Sequence, residues 1–426
     1  MSLFRFSKFF VPRLIVLFLG LALCSRASAE VLNYNSVMLG DRASGMGGAY
    51  TAMTDDPAAS PYYNPAALAR LHGNSLSTAV SLFNKYDSSY GDQPSLNDSI
   101  FRINRGKILS IPASSAIISS FHNFSAGVSI LLPEYQNFGG TIHSSGTDST
   151  FLRLDNQNLW VGGAFALNVT DNDALGFSAH YTSQNTARSS TNLFAAGGGT
   201  TVENEELTLA TNSVIYQLGY FHEFAKTEQE NKWRLGLSYR FRSILVAGSG
   251  SYLFSSVSTV SGASTPIQKN SLSAFSYVPD RLAMGLSCTT QHQQTYSFDI
   301  SYYGSNHFSD LEQDGDVIVQ KNIFNFALGY ENQLEPWLAL RLGLFTDYSA
   351  APGIPANPSM RYQDHIDKFG FSANFGIQTT DHTRLSLGGY YLGGTGDTAE
   401  KIGAAYTPLT KTDRVFSFLV GSSYWF

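Results

Sequence analysis

Cysteine and charge are both scarce in this sequence. The two cysteines are Cys24 and Cys288, and Cys24 lies in a leader that we expect to be removed, so the mature chain holds one thiol and no internal disulfide. Charged residues make up only 14% of the chain, and the formal net charge is −6. Because an acidic chain is a poor partner for nucleic acid, we exclude nucleic acid as a partner.

Long apolar runs, metal-ligand clusters and catalytic constellations are also missing. After residue 29 no apolar run reaches 18 residues, which excludes membrane-spanning helices. The nine histidines are scattered, and no pair of them has the spacing of a zinc site. The stretch HNFS at 122–125 places a serine near a histidine but offers no third residue to support them. The sequence therefore predicts no catalytic residue, no metal and no cofactor, and we do not expect an enzyme.

A secretory leader opens the chain. Arg5, Lys8 and Arg13 precede an apolar run over 14–24, and Ser-Arg-Ala-Ser-Ala follows and ends at Ala29. This order is typical of a signal peptide, so we predict that residues 1–29 are a signal peptide and that the mature chain begins at Glu30. The alternative is a membrane-spanning helix, which needs about 20 apolar residues. The run here has 11.

Apolar and polar residues alternate through most of the remaining chain. In KWRLGLSYRFRSIL, residues 232–245, the apolar side chains at odd numbers face one way and the polar ones at even numbers face the other. The stretches 295–303 and 368–378 repeat this pattern. In a soluble sandwich the apolar face packs on a second sheet, whereas in an outer-membrane barrel it contacts lipid and the polar face lines the lumen. One strand alone leaves both architectures open.

The number of strands and their connections favour the membrane barrel. Fourteen segments alternate in this way: 75–86, 108–120, 123–133, 158–168, 174–186, 207–224, 232–246, 278–289, 294–304, 320–332, 336–348, 367–379, 382–393 and 412–426. Short connections such as 170–173 alternate with long ones such as 87–107, 187–206, 247–277, 305–319, 349–366 and 394–411, and 135–157 is also a predicted long loop. Short turns on one side and long loops on the other are typical of an up-and-down barrel in an outer membrane.

We therefore predict an all-β fold, a transmembrane antiparallel up-and-down β-barrel of about 14 strands over residues 75–426, located in a Gram-negative-type outer membrane. Aromatic pairs at strand ends, such as 302–303 and 390–391, match the girdles at the membrane interfaces. The final strand ends on Phe426, and a terminal aromatic of this kind resembles the signal that barrel assembly machinery reads. The expected partners are outer-membrane lipid and, during biogenesis, that machinery.

Residues 30–74 remain before the first predicted strand. They hold Gly45, Gly47 and Gly48 for tight turns, alanines for close packing, and three prolines that prevent a long helix. Irregular backbone at membrane depth is tolerated only inside protein or in a watery cavity. The lumen of a fourteen-strand barrel is wide enough to need such a filling. We predict that residues 30–74 form an N-terminal hatch that plugs the lumen.

The stretch GDRASGMGGAYTAMTDDPAASPYYNPAALARL, residues 40–71, resembles the N-terminal hatch of the FadL-type family of long-chain fatty acid and hydrophobic compound transporters. The hatch motif comprises Gly45, Gly47, Gly48, Ala49, Tyr50, Asp55, Asp56, Asn64, Pro65 and Ala66. Residues 340–360 are similar to the strand and Pro-rich loop late in that family. The resemblance implies uptake of long-chain fatty acids or aromatic hydrocarbons by ligand-gated passive diffusion. It further implies that the hatch shifts when ligand binds in the lumen and that the cargo leaves sideways through the barrel wall. It also implies that loops near 87–107 and 135–157 form an apolar landing site.

Lumen-facing arginines are the candidate ligand-binding residues. Alternation places Arg234, Arg240, Arg242, Arg281, Arg341 and Arg384 on lumen faces, and we select Arg234, Arg240, Arg242, Arg341 and Arg384 as candidates. A guanidinium can grip a carboxylate ligand with two hydrogen bonds. The competing interpretation is that these arginines only pair with Asp299, Glu331, Asp55 and Asp56 to neutralise buried charge.

The adjacent carboxylates Asp55 and Asp56 also admit two interpretations. They could bind a cation, but calcium usually takes about six to eight oxygens, and no further acidic cluster lies nearby. The alternative is that the Asp-Asp-Pro run caps a turn or a short helix by accepting backbone N–H bonds. We favour the capping interpretation.

Four functions remain open on the sequence. The leading hypothesis is outer-membrane transport of hydrophobic small molecules through a plugged barrel. Residues 44–69 also resemble barrels of the PorV type, so the main alternative is a docking or shuttle subunit in protein secretion. A general porin and an adhesin or structural barrel are the remaining two.

Overall fold

The computed structural model describes residues 33–91, 111–143, 148–224, 231–263, 266–272, 278–309, 317–358, 362–402 and 405–426. The predicted signal peptide lies outside the described residues, as does most of the predicted loop at 87–107. Within the described ranges, no helix has the length and apolar character needed to cross a membrane.

Three short helical segments precede the first strand: α1 (Asp41–Gly45), α2 (Ser60–Tyr63) and the 3₁₀ helix η1 (Pro65–Arg70). Pro61 and Pro65 stand in the first turns of α2 and η1, where a missing N–H costs no hydrogen bond. The same prolines prevent either helix from extending from the preceding residues.

The strands occupy most of the described chain. They are β1 (Asn74–Gly91), β2 (Ile111–Ser120), β3 (Phe124–His143), β4 (Ser149–Asn168), β5 (Asp173–Ala196), β6 (Gly199–Glu223), β7 (Lys232–Arg240), β8 (Ile244–Ser258), β9 (Gly262–Ala263) and β10 (Ile267–Leu272). The second half comprises β11 (Arg281–Thr289), β12 (Gln294–Tyr303), β13 (Asn306–Ser309), β14 (Val317–Gln320), β15 (Ile323–Glu335), β16 (Leu338–Asp347), β17 (Tyr362–His365), β18 (Lys368–Thr380), β19 (Thr383–Ile402) and β20 (Ala405–Trp425).

These strands form a closed antiparallel barrel with fourteen strands in its wall, which confirms the predicted fold class. Closure comes from β1, which pairs with β2 on one side and with β20 on the other. β7 and β8 make up one interrupted wall strand because both pair with β6, and β10 and β11 make up the next. Closure leaves no free edge strand, which a membrane barrel requires because an unpaired backbone group in lipid has no hydrogen-bonding solvent.

The alternation seen in the sequence separates the two surfaces of the wall. On β16 and β18, Leu344 and Phe371 face outward and are 59% and 53% exposed, while Arg341 and Asn374 face inward and are buried. An apolar outer surface and a polar inner surface are the reverse of a soluble barrel and fit lipid outside.

Several predicted long loops are strands, and this part of the sequence interpretation was wrong. β3 reaches His143 and β4 starts at Ser149, so most of 135–157 is paired strand, and β19 and β20 likewise fill most of 394–411. The predicted loop 187–206 is a hairpin that turns on Gly197 and Gly198, both at positive φ. Apolar alternation is weaker in these parts of the strands, while backbone pairing continues.

Candidate functional site

The segment before β1 contacts inward-facing wall residues around the barrel. At its N-terminal end, Asn33 donates to the carbonyl oxygen of Asp347 at 2.7 Å, at the long-loop end of β16. At its C-terminal end, Arg70 donates to the carbonyl oxygen of Asp171, in the short turn between β4 and β5, at 2.8 Å. Residues 33–73 therefore extend through the lumen from one end of the wall towards the other, and we call them the hatch.

Inward-facing glycines in the wall make room for the hatch backbone. A methyl group at Gly236 of β7 would lie 1.9 Å from the carbonyl oxygen of Thr51, and one at Gly343 of β16 would lie 2.1 Å from the nitrogen of Gly47. The other wall glycines in comparable contact with the hatch are Gly176, Gly219, Gly285, Gly329 and Gly421. Any side chain at these positions would push the hatch inward, so the wall is shaped to this segment.

A buried ion-pair network joins α1 to the wall. Glu331 of β15 accepts from Arg42 Nη2 at 2.5 Å and from Arg341 Nε at 2.7 Å, so one carboxylate bridges a hatch arginine and a wall arginine. Asp41 Oδ1 lies 3.4 Å from Arg384 Nη2 of β19. These contacts fix α1 against the wall, because separating any pair would leave a buried charge without its counter-ion.

The adjacent carboxylates Asp55 and Asp56 have different environments. Asp56 is fully buried, and its two oxygens accept from the backbone nitrogens of Arg42, Ala43, Ala58 and Ala59 at 2.8–3.2 Å. Asp55 is exposed and at positive φ, and its carboxylate lies 3.4 Å from Arg42 Nη1. Asp56 therefore joins two hatch segments through hydrogen bonds. Among the described residues, no group of three or more metal-ligand side chains could hold a metal ion.

Burial and neighbouring charge shift the pKa values of the hatch carboxyls in opposite directions. Burial, followed by the nearby charge of Asp41, raises the pKa of the Asp56 carboxyl to about 7. Burial would also raise the pKa of Asp41, but the Arg384 and Arg341 guanidiniums outweigh it and hold that pKa below its ordinary value. Asp41 is therefore the charged member of the pair near neutral pH.

The other hatch-motif residues hold the backbone in place. Gly47 and Gly48 adopt positive φ, whereas Gly45 lies in α1 with regular φ and is needed for close approach to Asn374. The Tyr50 nitrogen donates to Asp299 Oδ2 of β12 at 2.9 Å, Tyr50 Oη donates to the Thr54 carbonyl, and Ala49 is fully buried.

The Asn-Pro-Ala stretch is a helix cap and an anchor to the wall. The Asn64 side chain accepts from the Ala66 nitrogen at 3.1 Å and so caps η1, in which Pro65 is the first residue. Its amide donates to the carbonyl oxygens of Thr51 and of Tyr220 in β6. One side chain thus joins two parts of the hatch to the wall.

Arg240 and Arg281 form the centre of the candidate site. They face each other as registered partners on β7 and β11, and they are 2% and 4% exposed. Arg281 donates to Ser301 Oγ at 2.8 Å. Within the described part of the chain, neither arginine forms an ion pair with a carboxylate. In the same residues, the Nε atoms of both arginines are buried without a hydrogen-bond partner. Two adjacent buried cations without a direct ion-pair partner among the described residues are unusual, because a buried charge is normally paired.

Aromatic rings surround this arginine pair. The guanidinium carbon of Arg240 lies 5.3 Å from the Trp160 ring, and that of Arg281 lies 5.8 Å from the Tyr303 ring. Tyr62, from α2 of the hatch, lies 5.8 Å and 6.0 Å from the two guanidiniums. We call Arg240, Arg281, Tyr62, Trp160 and Tyr303 the arginine cage. Ring faces stabilise cations, but they supply no hydrogen-bond acceptor for the free N–H groups.

The remaining predicted ligand arginines lie elsewhere. Arg341 and Arg384 belong to the ion-pair network with the hatch, and Arg234 lies 3.3 Å from Glu223 near the short-turn end. Arg242, beyond the end of β7, lies 3.6 Å from Asp280 and is partly exposed. The expected partner Asp299 accepts from hatch backbone nitrogens rather than from an arginine, because it faces the 50–51 turn.

Sequence reasoning missed most of the arginine cage. Trp160 lies at an inward position of β4, where the flanking inward residues Asn158 and Asn156 are polar. An aromatic residue on a polar face was the available signal, but nothing in the sequence indicated that Trp160 approaches Arg240 of a different strand. Arg281 was placed on a lumen face and not selected as a candidate.

Among the described residues, the strand pairing of the wall is interrupted beside the arginine cage. The pairing of β2 with β3 ends at Ser114↔Leu131, and the register of β3 with β4 shifts between Leu131 and Glu134. Pro133 lies in this shift and has no N–H to donate to a neighbouring strand. Ala113 and Leu131 at the interruption belong to the same apolar cluster as Trp160 and Tyr62.

Comparison with known proteins agrees with this architecture. No protein-family profile and no curated protein matches the chain. Among solved structures, the chain is similar to a FadL homologue of Pseudomonas aeruginosa, with a TM-score of 0.64 and 12% identity over 92% of this chain and 100% of that one. It is similar to the toluene transporter TodX of P. putida, with a TM-score of 0.65 and 15% identity over 92% and 99% of the chains.

The monoaromatic hydrocarbon channel CymD matches over the same shares of the two chains, with a TM-score of 0.60 and 15% identity. These neighbours are transport channels and not enzymes. The chain thus has the fold shared by the FadL homologue and the hydrocarbon channels, which confirms the predicted resemblance to FadL-type barrels at the level of the fold.

Proposed function

We propose that this protein is an outer-membrane channel for apolar small molecules that carry an anionic end, such as long-chain fatty acids. The observation that carries the proposal is the arginine cage, in which two adjacent buried guanidiniums have no carboxylate partner among the residues that the structure describes. A carboxylate ligand would supply the missing negative charge and accept the free N–H groups. The surrounding rings offer apolar contact to the part of the ligand next to its charged group.

The channel fold of the solved neighbours supports passage through the barrel. The names of those proteins describe toluene and monoaromatic hydrocarbon transport. A neutral hydrocarbon needs no cation in the lumen, so the arginine cage distinguishes the cargo proposed for this chain from theirs.

Residues 33–73 act in this proposal as a plug that ligand displaces. Tyr62 of the hatch contacts both arginines of the cage, so a ligand that enters there changes the contacts of the hatch. The interruption between β2 and β3 lies beside the same cluster and gives the apolar tail a sideways path into the bilayer. A sideways exit keeps the tail away from water throughout.

The proposal is tested by uptake in a Gram-negative host strain that lacks its own fatty-acid uptake barrel. Radiolabelled laurate is the anionic probe and toluene is the neutral probe. We expect Arg240→Gln and Arg281→Gln each to weaken laurate capture by about 10- to 100-fold, since a hydrogen bond to a charged group contributes about 1.5–3 kcal/mol. Toluene uptake should stay unchanged in both variants.

Arg242→Gln is the matched control, because Arg242 lies two residues from Arg240 and pairs with Asp280 near the end of the wall strand. Laurate uptake that is equally high in the wild type, Arg240→Gln and Arg281→Gln would refute the carboxylate assignment. The alternative function, a docking subunit for secreted proteins, predicts that the barrel raises uptake of neither probe and is recovered in complex with secreted proteins.

A further inference from the structure

The wall has a second interruption, between β15 and β16. The register of these strands ends at Ala327↔Phe345, and the next backbone hydrogen bond along this seam joins the Lys321 nitrogen to the Ala350 carbonyl oxygen at 2.7 Å. Residues 323–326 and 346–349 border the interruption, which we call the window. Outward-facing Phe326 and Leu344 beside it are 38% and 59% exposed, so the window lies in the lipid-facing part of the wall.

Side chains bridge the window in place of backbone pairing. Thr346 Oγ1 accepts from the Phe326 nitrogen at 2.9 Å, and Asn325 Oδ1 accepts from the Tyr348 nitrogen at 2.9 Å. Thr346 Oγ1 also donates to Asn325 Oδ1 at 3.1 Å. Because two side chains hold the seam, rotation about their own bonds can open it without separating the strands on either side.

The hatch covers the window from the lumen. Asn35 donates through its amide to the Thr346 carbonyl oxygen at 3.2 Å and through its backbone nitrogen to Asp347 Oδ1 at 2.8 Å. These two contacts place a hatch residue directly behind the bridging side chains. A shift of the N-terminal hatch segment would therefore uncover the window.

One small cavity borders both the window and the arginine cage. It is lined by Asn35, Arg281, Asp299, Ser301, Asn325 and Phe326. Three of its lining residues carry buried polar atoms without a hydrogen-bond partner, which are Arg281 Nε, Asp299 Oδ1 and Asn325 Nδ2. Asn325 is 1% exposed, so its free amide is enclosed in the wall rather than solvated. One end of the cavity thus reaches the cage, and the other reaches the seam.

We propose that the window is a second lateral opening, through which membrane-dissolved apolar molecules exchange between the bilayer and the lumen cavity. Asn325 and Thr346 are its movable bridge, and Asn35 is its cover. The role in cargo passage rests on the proposed function, whereas the opening itself can be tested without any cargo.

The first experiment tests the opening by labelling. Asn35→Cys is made in a Cys288→Ala background and reconstituted in phosphatidylcholine vesicles with N-dodecylmaleimide, which dissolves in the bilayer. We expect labelling to accelerate several-fold when Asn325→Ala and Thr346→Val are added, because these changes remove the bridge. Equal labelling rates with and without the bridge would overturn the proposal. Heat-dependent gel mobility confirms that each variant is a folded barrel.

The second experiment closes the window by a disulfide. Phe326→Cys with Thr346→Cys joins the next cross-strand positions after the last registered pair, both of which face outward. Leu328→Cys with Leu344→Cys is the matched control, a registered and outward-facing pair on the same two strands. Cross-strand neighbours are close enough for a disulfide bond.

Oxidation of the 326/346 pair should lower laurate uptake several-fold and reduction should restore it, whereas the 328/344 pair should have no effect in either state. Equal uptake by both oxidised pairs would refute the window as a passage. A wild-type barrel that takes up neither laurate nor toluene would overturn the proposed function. The labelling of Asn35→Cys would then support or refute the opening of the window independently of transport.

Discussion

Arg240 and Arg281 are registered cross-strand partners, and both guanidiniums are buried among aromatic rings without a carboxylate partner in the described residues. By contrast, Arg341 shares the carboxylate of Glu331 with a hatch arginine. The described wall therefore holds two kinds of buried arginine, one that forms a direct ion pair within the protein and one that does not, and they should respond differently to substitution.

The first prediction concerns stability of the two kinds of arginine. Arg240→Met removes an unpaired buried charge, so we expect the free energy of unfolding to stay constant or rise. Arg341→Met leaves Glu331 with one partner fewer and should destabilise the folded barrel by about 3–5 kcal/mol, the usual cost of breaking a buried pair. Urea unfolding in detergent, followed by heat-dependent gel mobility, measures both. A larger loss for Arg240→Met than for Arg341→Met would contradict the distinction.

The second prediction concerns the wall glycines. Gly236→Ala places a methyl group 1.9 Å from the carbonyl oxygen of Thr51, so the hatch must move away from β7. We expect higher ion conductance in planar bilayers than for the wild type. Gly163→Ala is the control, because its methyl group would meet only the Gly127 carbonyl oxygen at 3.4 Å. Equal conductance of the two variants would show that the hatch does not seal the lumen at this contact.

The third prediction concerns the carboxylate that bridges hatch and wall. Glu331→Gln removes the charge that holds Arg42 and Arg341 together and leaves two buried cations to repel each other. We expect the hatch to dissociate from the wall more often, which would appear as frequent conductance steps in planar bilayers. Glu223→Gln is the control, because the Glu223 carboxylate lies at the short-turn end and pairs with Lys232 and Arg234. This variant should show no more conductance steps than the wild type.

The fourth prediction concerns pH. Burial raises the pKa of the Asp56 carboxyl to about 7, above its value in the unfolded chain, so the folded hatch binds this proton more tightly. The stability that this proton contributes is complete below the unfolded pKa and is lost as the pH rises through about 7. Hydrogen exchange of residues 41–60, corrected for its intrinsic pH dependence, should show less protection at pH ~8 than at pH ~5.

Asp56→Asn provides the comparison, because its side chain does not titrate. We expect its hatch protection to be independent of pH over the same interval, although lower than in the wild type, since an amide has one acceptor oxygen for four backbone donors. Protection that increases with pH in the wild type would contradict the assigned direction of the pKa shift.

The sequence predicted the strand positions better than their lengths. Alternation located β16 and β18 because exposed outward side chains alternate along them with buried inward ones. It missed the upper parts of β3 to β6, where polar residues interrupt the apolar alternation. The hairpin at 197–198 carries a local Gly-Gly signal, but the run AAGGGT was interpreted as part of a loop.

The candidate site was only partly predictable, for a related reason. Alternation placed Arg240, Arg281 and Arg341 on the same surface, and it cannot tell which of them has a carboxylate neighbour. That depends on partners distant in sequence, such as Arg42 and Glu331, which are 289 residues apart. The capping role of Asn64 was within reach of the sequence, because an Asn before Pro at a helix start is a local pattern.

By itself the sequence predicted a barrel of alternating strands with the pattern of a membrane protein and a compact segment before them. These features follow from the period of side chains along one strand and from local turn residues, so they need no knowledge of the partner strands. Only the tertiary structure decided which arginines are neutralised, where the wall is interrupted and which glycines admit the hatch. Those features depend on the register between strands and on closure of the barrel, which bring together residues that no local pattern relates.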